Sequence, residues 1–279
     1  MIKAGFLGPK GTHSEEAALY LNQKSMPAWE LVPCTGIYDA IMAVANGELD
    51  RCIVPVENSI EGSINITLDT LAHKVDLEIE QELVWPVHNH LMVKNPQAKW
   101  STVLSHPQPL AQCREYLKKH YKEAEIRQVS STARAAAIAS ADPACAAVGT
   151  RRAAEIYGLH ILAEEIQDDP GNCTRFFVLK RRDDAVLTNA AKALLICQID
   201  GQKAGSLCDV LLELAHRGVN MTRIESRPAK TGLGVYVFFL ELDAGVEKEI
   251  LAEAIEAVRQ KSLWLKNMGT FPVETAELK

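Results

Sequence analysis

The sequence predicts an α/β protein of two domains, the first divided into two lobes and the second a small unit with its own order of elements. Three observations lead there. Up to about residue 180, short apolar runs alternate with helical patterns, the signature of largely parallel strands joined by helices. Two long extended stretches interrupt that alternation, and beyond a charged, then small and polar segment the order of elements changes. A length of 279 residues suits two domains, and 47% hydrophobic with 24% charged residues is the balance of a folded soluble chain that buries a sizeable core.

Taken in order, Ile2 to Leu7 leads into a helix over Ser14 to Gln23, and Cys52 to Val56 into one over Ile64 to Leu71. Thr102 to Leu104 precedes a helix over Leu110 to Tyr121, and Ala144 to Val148 one over Arg151 to Ile156. The extended stretches are Leu77 to Trp85 with His88 to Val93, and Leu159 to Glu165. They predict a chain that passes out and back across a cleft, with one lobe at about 1–76 and 167–182 and the other at about 77–166. After a linker over Arg181 to Ala190 come a strand (Lys192 to Ile199), a helix (Ser206 to Arg217), two strands (Val219 to Arg227, Gly234 to Leu242), a helix (Lys248 to Gln260) and a strand (Trp264 to Phe271). That βαββαβ order over 191–279 is ferredoxin-like.

Charge and composition narrow the function. A net charge of −6 with no basic stripe argues against a nucleic-acid partner, and Lys180-Arg181-Arg182 is answered at once by Asp183-Asp184. The N-terminal apolar run stops at Gly8-Pro9, too short for a signal peptide, and no stretch reaches the ~20 apolar residues of a membrane span. A cytoplasmic protein without membrane contact is expected. Seven cysteines without a CxxC pair suit a reducing compartment, with Cys52, Cys145 and Cys197 reading as buried thiols.

Four polar motifs follow strands or lead into them. Gly8-Pro9-Lys10-Gly11-Thr12-His13-Ser14-Glu15 opens the first helix, with Thr12 and Glu15 at capping-box spacing and free amides that suit an anion; taken by itself, an ordinary capped turn is the better reading. Glu57-Asn58-Ser59 stands at the carboxyl end of a strand, where α/β sheets bind ligands. Ser105-His106-Pro107-Gln108 again has capping-box spacing, and a helix from Pro107 would put Gln108 and Gln112 on one face. In Asn172-Cys173-Thr174-Arg175-Phe176, a polar pair sits at the mouth of a buried strand, and Cys173 has no identifiable base that would make it a nucleophile. His88 and His90 share one side of a strand, but no cysteine or carboxylate completes a metal set.

In this order, these motifs closely resemble prephenate dehydratase, and Glu225-Ser226-Arg227-Pro228 is similar to the phenylalanine-binding motif of the ACT domain found in that family. The resemblance covers nearly the whole chain. It implies a two-lobed catalytic domain like a periplasmic binding protein (1–182), a regulatory ACT domain (191–279), and conversion of prephenate to phenylpyruvate with loss of water and carbon dioxide, without metal or cofactor. With no chorismate mutase region before Met1, the monofunctional form is implied. Thr174 would hydrogen-bond the departing hydroxyl, with Asn58, Ser105 and Gln112 as further catalytic positions and Arg175, Thr12 and Ser59 binding substrate. Gly205, Ser206, Leu207 and Asn220 would join Glu225, Ser226, Arg227 and Pro228 in binding phenylalanine across a homodimer or homotetramer interface. Arogenate dehydratase is the neighbouring alternative, and a non-catalytic cytoplasmic sensor of an amino acid or similar anion is the alternative from another class.

Overall fold

The structure, a computed structural model, describes residues 1–183 and 190–277, so the centre of the expected linker and the last two residues of the expected second domain lie outside the described residues. The chain opens with β1 (Ile2–Leu7), α1 (His13–Lys24), β2 (Trp29–Cys34), α2 (Ile37–Ala45), β3 (Arg51–Asn58), the short β4 (Gly62–Ser63), α3 (Asn65–His73) and β5 (Leu77–Pro86). It then crosses to β6 (His90–Val93), β7 (Thr102–Ser105), α4 (Pro107–Gln112), α5 (Arg114–His120), β8 (Glu125–Gln128), α6 (Thr132–Ala141), β9 (Cys145–Gly149), α7 (Arg151–Tyr157) and β10 (His160–Ala163), and returns with β11 (Cys173–Arg181). The remainder is β12 (Lys192–Gln198), α8 (Ser206–His216), β13 (Met221–Pro228), β14 (Tyr236–Asp243), α9 (Lys248–Lys261), β15 (Trp264–Phe271) and β16 (Val273–Thr275).

Three sheets result. The first runs β16-β5-β11-β3-β1-β2 with β4 beside β3, the second β10-β6-β9-β7-β8, and the third β13-β14-β12-β15. The first two are the sheets of the two lobes, and the third has the ferredoxin-like order. Sheet membership moves two expected boundaries. β5 pairs antiparallel with β11 from Pro86↔Cys173 to Leu77↔Arg181, so residues 77–86 complete the first lobe instead of opening the second. The crossings lie just beyond, where the Val87 amide donates to Asn172 (2.9 Å) and the Ile166 amide to Asn89 (2.8 Å). At the other end of the chain, β16 leaves the third sheet and pairs parallel with β5, anchored by Tyr20 and Gln81 on the Glu274 carboxylate, each at 2.8 Å.

The expected helix over Leu110 to Tyr121 is broken at Cys113. The break frees the amides of Glu115 and Tyr116 to donate to the Asp168 carboxylate (3.0 and 3.1 Å), a cap supplied from more than fifty residues away. Two βα units, β2-α2 and β8-α6, complete the lobes where the sequence reading assigned no elements.

The third sheet is buried on both faces. Ala193, Leu195, Cys197, Leu240 and Leu242 pack under α8 and α9, while Leu194, Ile196, Phe239 and Phe271 pack with Phe177, Leu179, Leu77 and Ile79 of the first lobe. Double burial is why β12 reads as a continuous apolar run. The Phe177 and Phe271 rings meet edge-on at 5.7 Å across this junction.

A shared core predicts one cooperative unfolding transition for the full chain in calorimetry; a third sheet melting on its own would contradict it. Phe239→Ala should cost about 3–5 kcal/mol in urea denaturation, the usual penalty for emptying a buried phenylalanine site.

Candidate active site

The cleft-facing ends of β3 and β11 lie side by side, with Asn58 opposite Thr174. Asn58 is buried and its amide is fully engaged. Its Nδ2 donates to Asn172 Oδ1 (2.9 Å), to the Cys173 carbonyl (3.1 Å) and to Thr174 Oγ1 (3.0 Å), while its Oδ1 accepts the Ile60 and Glu61 amides, both at 3.1 Å. The two accepted amides fix which end of the side chain is oxygen. Thr174 Oγ1 therefore accepts from Asn58, and its own O–H, with no acceptor among the described residues, is left to donate. Ser59 secures the turn: its amide donates to the Cys173 carbonyl (2.9 Å), and its Oγ accepts the Cys173 amide (3.0 Å).

Thr174 and Asn58 line a cavity of about 280 Å³ together with Gln108, Gln112, His13 and Ser14. Leu7, His13, Ser14, Gln108 and Pro109 continue into a larger cleft of about 650 Å³ that includes Ser131, Thr132 and Arg134. No Asp or Glu lines either space among the described residues, and Arg134 is the one Lys or Arg. The N-terminal turns of α1, α4 and α6 open onto them, capped by Thr12, His106 and Ser131. Helix starts present unpaired amides and positive potential, so the cleft favours an anion. Gln112 Nε2 is buried without a partner, as is His13 Nδ1, which stands 3.6 Å from the Glu16 carboxylate.

Several expected residues are placed differently. Thr12 does line the larger cleft, but its hydroxyl caps α1, accepting the Glu15 amide (3.3 Å), while the Glu15 carboxylate takes the Gly11 amide (2.6 Å), one residue earlier than a capping box would. Ser105 does not cap α4 and lines neither space: it is fully buried and donates to the Val148 carbonyl (2.7 Å), tying β7 to the strand beside it. His106 takes the cap, its Nδ1 accepting the Gln108 amide (3.4 Å). Arg175 does not face the cleft. Adjacent strand residues point to opposite faces, and its guanidinium is held by Glu57, Glu82 and Glu241, leaving no free cation for a substrate carboxylate. His13, Ser14 and Arg134 line the cleft without having been singled out; the first two lay inside a recognised motif, whereas Arg134 had no local signal. His88 pairs with Glu165 (3.0 Å) while His90 is buried, its pKa lowered by that burial, and no cluster of three metal-ligating side chains occurs among the described residues.

The expected effector residues divide into two groups. Gly205, in a left-handed conformation (φ 85°), and Ser206 start α8, with Ser206 Oγ donating to the Lys203 carbonyl (2.9 Å), while Leu207 packs into the helix-side core. Asn220 is exposed, its carbonyl taking the Asp243 amide (2.9 Å). On the edge strand β13, Ser226 and Pro228 face outward, whereas Glu225 contacts Ser63 and Arg227 donates to Asn65 (2.7 Å) and Asp69 (3.0 Å) of the first lobe.

Comparison with known proteins gives a consistent picture. The prephenate dehydratase family model matches residues 4–184. A prephenate dehydratase of Methanocaldococcus jannaschii is 37% identical over 268 residues, covering 95% of this chain and 96% of that protein. The structure of a prephenate dehydratase from Arthrobacter aurescens in complex with L-Phe superposes with a TM-score of 0.86 at 32% identity, over 97% of this chain and 90% of that one. GqqA, described as a novel type of quorum-quenching acylase, superposes with a TM-score of 0.83 at 25% identity, over 98% of each chain.

Replacing Asn58 by alanine strands two backbone amides and the Asn172 amide oxygen in a buried site. Asn58→Ala should lower stability by about 2–3 kcal/mol in urea denaturation, the cost of leaving buried polar groups unsatisfied; an unchanged midpoint would contradict the bonding described.

Proposed function

Because the chain belongs to the prephenate dehydratase family, it is a carbon–oxygen lyase that converts prephenate to phenylpyruvate, water and carbon dioxide, and we propose that the cavity beside Thr174 is where this happens. The observation that supports this placement is the Asn58 bond to Thr174 Oγ1, which leaves the threonine O–H to donate into the cavity. The ring carboxylate departs as carbon dioxide, its bonding electrons pass through the ring diene, and the C–O bond to the para hydroxyl breaks as the ring becomes aromatic. The substrate dianion takes up one proton; phenylpyruvate monoanion, carbon dioxide and water leave.

Thr174 donates a hydrogen bond to the departing oxygen as negative charge grows on it, the kind of assistance that acts in the transition state more than in the ground state. A threonine hydroxyl is too weak an acid to give up its proton outright. The net proton comes from another donor, and His13 is a titratable group lining the same cavity. Gln112, with its unpartnered Nε2, orients the ring or a carboxylate, and the helix starts with Arg134 hold the remaining negative charge. Asn58 and Ser59 serve the site by placing Thr174.

Regulation by L-phenylalanine is the natural role of the third sheet, given the effector carried by the Arthrobacter relative. We assign the effector site to Gly205, Ser206, Leu207 and Asn220 of one copy with Glu225, Ser226, Arg227 and Pro228 of another, in a homodimer or a homotetramer built from dimers. The exposed edge of β13, with Ile224 outward, suits such an interface. Residues 1–182 are then the catalytic domain and the ACT domain begins at 191. No helix among the described residues is long and apolar enough to cross a membrane, and all seven cysteines are free thiols, so we place the enzyme in the cytoplasm.

The full chain should turn over prephenate in preference to arogenate, read as phenylpyruvate or phenylalanine formed, with the rate changing on added phenylalanine; no turnover of either substrate would overturn the reading. Thr174→Val should lower kcat by about 10²–10³, the range for losing one hydrogen-bond donor to developing negative charge, with the melting temperature little changed. A normal kcat would remove Thr174 from the mechanism.

A further inference from the structure

Thr174 and Asn58 each have a neighbour that points the other way. The ladder pairs Arg175 with Glu57 just as it pairs Thr174 with Asn58, and alternation sends the first pair to the face opposite the cleft. There Arg175 Nη1 meets Glu57 Oε2 (2.6 Å), while its Nε and Nη2 grip the fully buried Glu82 (3.0 and 2.6 Å). Nη2 also contacts Glu241, which comes from β14 of the third sheet. Lys192 on β12 bridges Glu82 (3.1 Å) and Glu241 (2.8 Å), and Arg223 on β13 approaches Glu57 (3.4 Å). Three cations and four carboxylates thus interlock behind the catalytic strand ends, with Glu225 on Arg223, and the third sheet supplies Lys192, Arg223, Glu225 and Glu241.

We propose that Glu241 of the third sheet, acting through Arg175, is a positioning residue for Thr174 and Asn58. The inference rests on the reading of Thr174 given above. A guanidinium held on three sides has one orientation, and it fixes the backbone of β11 one residue from the Thr174 hydroxyl. Glu57 is fixed by the same group, one residue from Asn58. On the β3 side the ladder shifts register between Arg175 and Phe176, so there the guanidinium bridges Glu57 where the pairing is irregular, while the β5 side stays in register at this end. Glu241 also accepts from Thr222 Oγ1 (3.0 Å), which ties it to β13, the strand carrying Glu225 and Arg227. A shift of the third sheet would reach the catalytic hydroxyl by this route.

The test is the full chain with Glu241→Gln, which keeps the shape and removes the charge. We expect kcat to fall at least about tenfold with KM within about twofold, since small misplacements of a reacting group cost rate before they cost binding. Glu241→Asp should recover part of the loss. In the Thr174→Val background, Glu241→Gln should lower kcat no further. Glu80→Gln breaks the two-point Arg51–Glu80 pair, whose arginine lies about 20 Å from Glu57 along β3, and should leave kcat unchanged. A lower melting temperature with wild-type kcat, or an equal loss of kcat with and without Thr174, would overturn the proposal. Wild-type activity in Thr174→Val alone would instead remove the reading beneath it. If Glu241→Gln does not fold, the partly exposed Lys192→Gln carries the same expectations, and wild-type kcat in it would likewise overturn the proposal.

Discussion

An arginine whose side chain is only 14% exposed must be surrounded by anions, and satisfying Arg175 organises the centre of this molecule. Burial alone would lower its pKa, but Glu82 and Glu241 outweigh that and raise it above the ordinary arginine value. The Glu241 carboxyl is in turn held below its usual range: burial raises it, and Arg175 and Lys192 together more than reverse the effect. Leaving any one member behind strands a charge in a place water barely reaches, so the strands that carry them must stay together. That requirement joins β3, β5 and β11 of the first lobe to β12 and β14 of the third sheet.

The same strands have to serve two environments, and the two-residue period of a β-strand is what makes this possible. Along β11, Thr174 belongs to the cleft and Arg175 to the junction; along β12, Leu195 belongs to the helix-covered core and Leu194 to the first lobe. The third sheet is therefore not a bead on a tether. One of its faces is part of the first lobe's hydrophobic core.

Much of this was legible in the sequence because period and order are local signals. The alternation of strands with helices gave the α/β class, the two extended stretches gave the two lobes, and the βαββαβ order gave the third sheet. What was lost depended on contacts distant in sequence. The helix break at Cys113 exists for Asp168, and Ser105 was claimed by the Val148 carbonyl. Arg175 illustrates the limit most clearly, since a motif places it beside Thr174 while strand geometry sends its side chain to the other face. β2, carrying Pro33 at the sheet's edge, and β8, exposed along its length, lack the apolar run that marks a buried strand. Of the cleft residues, Thr174, Asn58 and Gln112 were named from motifs, whereas Arg134 required the fold.

The return of β16 to the first sheet has a consequence for the integrity of the chain. Without it, β5 would be an edge strand, with the amide of Glu82 and carbonyl of Val84 unpaired and Leu83 and Trp85 beside them. Edges of that kind recruit foreign strands. The last few residues act as a stopper on that edge, and shortening the C-terminus would turn a protected flank into a sticky one even though every catalytic group is still present.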